Sequence, residues 1–145
     1  IFNFAPAREF ARERLAGVHT LVVNENEAAT LSGLPVGNDE EARRAAQSLR
    51  ETGAEVVVVT LGPAGSLVVD GHGMSHVEAF PVEAVDTTAA GDTYCGCLVV
   101  ALAEGRSFED AVRFASAGAA ISVGRMGAQP STPRREEIEE FLRSR

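Results

Sequence analysis

The sequence predicts an α/β protein built on a mostly parallel sheet with helices on both faces. Three observations predict it: strand-like and helix-like segments alternate, one β-branched run has no wet side, and the connections are short and punctuated by Gly and Pro. The 145 residues, 45% hydrophobic and 23% charged, suit one soluble domain or one piece of a larger one. A chain of this length buries roughly 68–70% of the surface its unfolded form exposes, so its core needs no disulfide staples.

Residues 1–4 read as the interior of an apolar strand. Because the chain opens on Ile1 rather than Met, the expectation is the C-terminal part of a longer protein. After the turn at Pro6, Phe10, Ala11 and Leu15 fall at helical spacing and predict a helix over 7–15. Residues 20–23 are a short apolar strand, followed by an acidic-start helix over 25–31 that Gly33 and Pro35 close. Asp39 is expected to cap a long helix reaching about Thr52, with Glu40 and Glu41 at its positive end and Gly53 ending it. The run 56–60 is too uniformly apolar to have a wet face, which is how a buried parallel strand reads. Segments 66–70 and 74–80 flank the Gly71 to Gly73 turn as a hairpin. Beyond Pro81 the chain changes character. A short extended piece, 82–86, runs into the small-residue turn 87–91 and a helix to about Ala103. Ser107 opens a further helix to Val123, and Pro133 and Glu136 start a last amphipathic one ending near Arg143.

Composition excludes several classes. With 13 Lys+Arg against 21 Asp+Glu the net charge is −8, and no basic stripe is present to follow a phosphate backbone, so nucleic acid is not an expected partner. The apolar stretches fall far short of the ~20 residues that span a bilayer, and no basic segment with an apolar run opens the chain, so membrane insertion and secretion are not expected. Cys95 and Cys97 are one residue apart and point different ways, which argues against a local disulfide or a metal knuckle and for a reducing, cytoplasmic setting. Both read as small core hydrophobes. His19, His72 and His76 lack ligand spacing and read as exposed, and Arg134 and Arg135 as a solvated helix start.

The residues that carry chemistry begin with Asp86-Thr87-Thr88-Ala89-Ala90-Gly91-Asp92-Thr93. A small-residue turn between a strand and a helix leaves backbone amides unpaired and unobstructed, an anion hole in waiting. Asp92, in the first helical turn, stands where a carboxylate takes a proton from a hydroxyl while the amides stabilise a transferring phosphoryl group. From spacing alone an equal reading stays open, in which Asp92 only favours the helix N-terminus and the small residues only permit close packing.

This string resembles the signature of the ribokinase family, the PfkB carbohydrate kinases, and three further segments resemble family motifs in family order. Asn24-Glu25-Asn26-Glu27 is similar to the Asn-Glu-x-Glu motif, Thr60-Leu61-Gly62-Pro63-Ala64-Gly65 to the Thr-Leu-Gly-x-x-Gly nucleotide loop, and Arg125 to Ser131 to the family's cation loop. The resemblance implies a ribokinase-like three-layer α/β/α sandwich, of which residues 1–145 are the C-terminal nucleotide-binding and catalytic part, the N-terminal sugar-binding and lid part being absent. It implies transfer of the γ-phosphoryl group of ATP to a primary hydroxyl, D-ribose first among the sugars, with Mg²⁺ and K⁺ as cofactors and a homodimer when full length. Asp92 becomes the base, with Ala89, Ala90 and Gly91 as the anion hole. Asn24, Glu27, Thr60, Gly62 and Gly65 become nucleotide contacts, Glu27 holding Mg²⁺ through water. Asp86 and Thr88, carbonyls near Ser122, Arg125 and Gly127, and the Ser131 hydroxyl become an oxygen cage for a monovalent cation. Here the turn reads Ala-Ala-Gly-Asp where many members have Gly-Ala-Gly-Asp.

Ser116 falls where the family more often carries Asn or His near the adenine; it is either a nucleotide contact or a helix-packing serine. Two alternatives to a ribose kinase stay open: a relative acting on another sugar or a nucleoside, and a nucleotide-binding module without catalysis. A dinucleotide oxidoreductase is disfavoured, since no G-x-G-x-x-G follows a first strand. The 145 residues alone are expected to lack activity, because the acceptor half of the site is missing.

Overall fold

The computed structural model describes residues 1–145, which divide into two compact units, Ile1–Glu78 and Ala79–Arg145. The division falls just before Pro81.

The first unit is a five-stranded sheet with two helices. Its strands are β1 (Phe2–Asn3), β2 (Thr20–Asn24), β3 (Val56–Thr60), β4 (Ser66–Asp70) and β5 (Gly73–Val77), and its helices are α1 (Glu25–Ser32) and α2 (Asp39–Glu51). Spatial order equals chain order, β1-β2-β3-β4-β5. The α/β expectation holds, and the sheet is mixed. β1, β2 and β3 are parallel, joined by crossovers long enough to return the chain. β3, β4 and β5 are antiparallel, because the links between them are a 3₁₀ turn at Gly62–Ala64 and a two-residue turn. Alternation along the strands decides the core. Leu21, Val23, Val57, Val59, Leu67 and Val69 share one face and cluster with Ala28 and Leu31 of α1 and Ala42, Ala45, Ala46 and Leu49 of α2. The other face carries Val22, Val58 and Val68, so both faces of the central strands are apolar.

The second unit holds α3 (Ala90–Ala103), α4 (Phe108–Val123) and α5 (Arg135–Arg143), with a 3₁₀ turn at Gln129–Ser131. α3 and α4 approach closely at Gly118, where a Cβ would stand 2.6 Å from Cys97 Sγ. Phe114, 2% exposed, lies beneath the guanidinium groups of Arg106 and Arg135, at 4.4 and 5.8 Å from its ring centre. No helix is long and apolar enough to cross a membrane.

Several local expectations are corrected. The helix over 7–15 is only a 3₁₀ turn at Arg12–Leu15. Tertiary anchors override the spacing there: Phe10 packs 5.4 Å from Phe2 and 5.6 Å from Phe4, and Arg12 donates to Ser32 O and to Ser48 O and Oγ. The cap of α2 is Asn38, whose Oδ1 accepts from Glu41 N at 3.0 Å, not Asp39. Residues 82–86 form no strand; Val85 N and Asp86 N instead donate to Val123 O at the end of α4. The second hairpin strand ends at Val77, and the last helix begins at Arg135, past Pro133.

Leu49, on the inner face of α2, is fully buried, so Leu49→Ala should lower stability by about 2–5 kcal/mol through lost burial and a residual cavity. Urea unfolding of the full-length protein reads this as a lower midpoint at unchanged slope.

Candidate functional site

Each unit gathers one group of the residues singled out from the sequence. In the first, Asn24 and Thr60 are register partners at the carboxyl ends of the parallel strands β2 and β3, the edge at which open α/β sheets take ligands. Glu27 follows on α1. Asn24 Oδ1 accepts from Glu27 N at 2.9 Å and Glu27 Oε2 accepts from Asn24 N at 2.8 Å, a reciprocal capping box. Both side chains therefore build the helix start, while the Asn24 amide nitrogen and the second Glu27 oxygen enter no bond of the box. The sequence reading missed the box, although Asn-x-x-Glu before an apolar run is its signal. Beyond Thr60, whose hydroxyl donates to Val23 O at 3.4 Å, the chain turns through Gly62 at φ 55° and Gly65 at φ 93°. Only glycine takes the second of these, with ψ −135°, without strain. Gly65 N donates to Gly62 O and Leu61 N to Gly65 O, so the loop closes on its own backbone.

The second unit holds the other group. Ala89 caps α3 with φ 61°, the only non-glycine residue in the left-handed region. Glycine would take this angle without steric cost, and Ala holds it here. Ala90 N donates to Thr87 O at 3.2 Å, and the first intrahelical bond is Thr93 N to Ala89 O at 2.9 Å. The amides of Gly91 and Asp92 are thus the orphan donors of the helix start, a narrower hole than the three-residue one expected. Asp92 is exposed beside them, on the wall of a cleft of about 560 Å³ that runs along α3 past Gly96 and Val100.

Asp86 organises the approach to this turn. Its Oδ1 accepts from Thr88 N and its Oδ2 from Gly127 N, both at 2.9 Å. The Thr88 side chain, then the Thr88 amide and the Gly127 amide, hold its carboxyl below the ordinary value of 3.8. Gly127 belongs to the loop 124–131, which Arg125 ties to α5 through its ion pair with Glu137. That guanidinium, with the Arg134 amide second, holds the Glu137 carboxyl below its usual range. Ser122 and Ser131, both 0% exposed, lie 2.9 Å apart through their hydroxyls.

The donor set suits a monovalent cation. The carbonyls of Thr88, Arg125 and Gly127 accept no backbone amide, whereas that of Ser122, expected in the cage, accepts from Arg125 N at 3.0 Å, and the Asp86 carboxylate holds the amides of Thr88 and Gly127. The Ser131 hydroxyl donates its hydrogen to Ala128 O at 2.7 Å. Ser116 sits apart, 8% exposed in α4 and six residues before Ser122. His19, His72 and His76 are all exposed, and Cys95 and Cys97 form no disulfide. Burial raises the Cys97 thiol above its usual range. Arg135 departs from the solvated role expected of it: it pairs with Glu104 and Glu139 and lies over Phe114.

The fold and the turn at Asp86 to Thr93 define a class of protein. The pattern of the pfkB family carbohydrate kinases matches residues 3–135, and the chain belongs to that family. Among individual proteins, it is 43% identical to the ribokinase of Haemophilus influenzae over 98% of its own length and 46% of that protein's. It superposes on the ribokinase of Thermotoga maritima with a TM-score of 0.91 at 43% identity, covering 98% of this chain and 48% of that one. With Arabidopsis thaliana ribokinase, solved with ribose and ATP, the TM-score is 0.85 at 34% identity, over 91% and 43% of the two chains. The chain spans about half the length of the curated relatives it matches.

Because Asp86 has a depressed carboxyl in the folded state, its contribution to stability is complete above the ordinary carboxylate range near pH ~4 and is lost as pH falls through the lower folded value. Asp86→Asn should therefore melt below wild type near neutrality, and the gap should close as pH falls below the ordinary value of 3.8. Melting temperatures of both full-length proteins measured across that range check this; a gap independent of pH would contradict it.

Proposed function

We propose that the chain is the nucleotide-binding and catalytic part of an ATP-dependent sugar kinase that phosphorylates a primary hydroxyl, with D-ribose as the first substrate. The observation that carries the proposal is the start of α3, where the amides of Gly91 and Asp92 are orphaned beside the exposed carboxylate of Asp92. Asp92 takes the proton of the sugar hydroxyl as that oxygen attacks the γ-phosphorus, the bond from the γ-phosphorus to the β–γ bridging oxygen breaks, and ADP leaves. The amides stabilise charge on the transferring group. The choice of ribose is supported by the ribokinases among the relatives, one of them solved with ribose and ATP.

Asn24, Glu27, Thr60, Gly62 and Gly65 are proposed to meet the nucleotide, with Ser116 as a further contact. Glu27 has a carboxylate oxygen outside the capping box for a Mg²⁺-bound water. Mg²⁺ supplies charge neutralisation on the phosphates. Asp86, Thr88, Ser122, Arg125, Gly127 and Ser131 are proposed to hold K⁺, whose role is to fix the turn that carries the orphan amides.

Asp92→Asn in the full-length protein should lower kcat with ribose by ~10²–10⁴-fold while ADP binding by calorimetry stays near wild type, since the backbone amides are untouched. A variant with near-normal kcat would show that Asp92 is not the base. A panel of ribose, deoxyribose, other sugars and nucleosides, ranked by kcat/KM, tests the substrate in the same assay.

Turnover should also rise with K⁺ far more than with Na⁺ or a bulky organic cation, and Asp86→Ala should abolish that preference. Equal rates in all three salts would remove the cation assignment.

A further inference from the structure

Three buried hydroxyls join the first turn of α3 to the loop 124–131. Thr93 Oγ1 donates to Ser122 Oγ at 3.4 Å, the Ser122 and Ser131 hydroxyls are 2.9 Å apart, and Ser131 Oγ donates to Ala128 O at 2.7 Å. Each hydroxyl owns a single hydrogen. That of Ser131 is committed to Ala128 O, so Ser122 is the donor in the 2.9 Å contact, and Thr93 in turn donates to Ser122. The run has one direction, from the helix that carries Asp92 to the loop. Its members are 6%, 0% and 0% exposed, so bulk solvent does not stand in for a missing one.

Thr93 is the residue through which this run reaches the chemistry. It follows Asp92 directly, and its amide makes the first bond of α3, to Ala89 O, closing the turn that leaves Gly91 and Asp92 as orphan donors. A displacement of Thr93 therefore moves the carboxylate and its amides together. Displacements of about 1 Å from a productive geometry cost on the order of 10²-fold in rate.

We propose that Thr93 and Ser122 are positioning residues for phosphoryl transfer, their hydroxyl run holding the Asp92 turn in register with the loop 124–131. The inference rests on the kinase reading above, and it assigns to two side chains outside the reacting groups a role that packing alone does not give them.

Paired substitutions in the full-length protein separate hydroxyl from shape. Thr93→Val keeps the shape and removes the donor; Thr93→Ser keeps the donor and removes a methyl. Thr93→Val is expected to lower kcat about tenfold with KM for ATP and for sugar unchanged, while Thr93→Ser stays within about twofold of wild type. A packing role gives the opposite order. Ser122→Ala, which breaks the run at its middle, should repeat the loss in kcat at unchanged KM, and the double variant with Thr93→Val should be no worse than either single one. Wild-type kcat in Thr93→Val, an equal loss in Thr93→Ser, or additive losses in the double variant would overturn the inference. Should Thr93→Val not fold, the comparison of Thr93→Ala with Thr93→Ser, which differ only in the hydroxyl, carries the same decision. Asp92→Asn assayed alongside distinguishes the two levels: full activity there overturns the kinase reading and this inference with it, whereas loss there with full activity in Thr93→Val overturns this inference alone.

Discussion

The second unit depends on one carboxylate that answers to two stretches of backbone. Asp86 receives the amide of Thr88 from its own turn and the amide of Gly127 from a loop 41 residues further along the chain. With both amides directed inward, the carbonyls around them are left for other partners, and a negative charge stays fixed among neutral oxygens. The left-handed Ala89, the orphan amides at the start of α3 and the placement of Asp92 all follow the chain direction that Asp86 sets. The ion pair between Arg125 and Glu137 holds the same loop from its other side, against α5. An exposed pair of that kind contributes little to stability by itself; what it does here is restrict a loop already pinned at Gly127.

The first unit shows the reverse economy, with residues of the candidate site also serving as structure. Asn24 and Glu27 start α1 by satisfying each other's backbone amides. Replacing Asn24 with Ala removes a cap worth about 0.5–2 kcal/mol, and replacing Glu27 removes its reciprocal half, so a loss of activity in either variant would not by itself mark a contact with the nucleotide. Gln at Glu27 keeps an acceptor for the Asn24 amide and deletes only the charge, which makes it the cleaner probe. The glycines of the Gly62 to Gly65 loop carry the same double duty, since their positive φ angles shape the loop whatever it binds.

Much of this was legible in the sequence. The run 56–60, uniform and β-branched, is the central strand β3, and the small-residue turn at 87–91 does open a long helix. Three of the four motifs fall at strand ends or helix starts, and the fourth, residues 125–131, in the loop that follows α4. What was not legible has a common cause, side chains acting across distance. Phe10 and Arg12 follow helical spacing locally, but aromatic partners at Phe2 and Phe4 and carbonyls at Ser32 and Ser48 hold their segment in another form. Residues 82–86 read as a strand, yet their amides find Val123, a partner that no local pattern announces. Even the hydroxyl run through Thr93, Ser122 and Ser131 is invisible along the chain, because its members are 29 and 9 residues apart.

The sheet of the first unit has a property that bears on how it is made. Its strands lie side by side in the order in which they are synthesised, so each one, on emerging from the ribosome, meets a free edge formed by the strand before it. No gap is held open for a later insertion, and α1 and α2 are already at hand to cover the apolar face when β3 arrives. Growth of this kind proceeds at one margin, each parallel strand waiting for its crossover and the two antiparallel strands closing short, local loops. The edge exposed at any moment is occupied by the next segment of the same chain, which limits the time that it is open to other molecules.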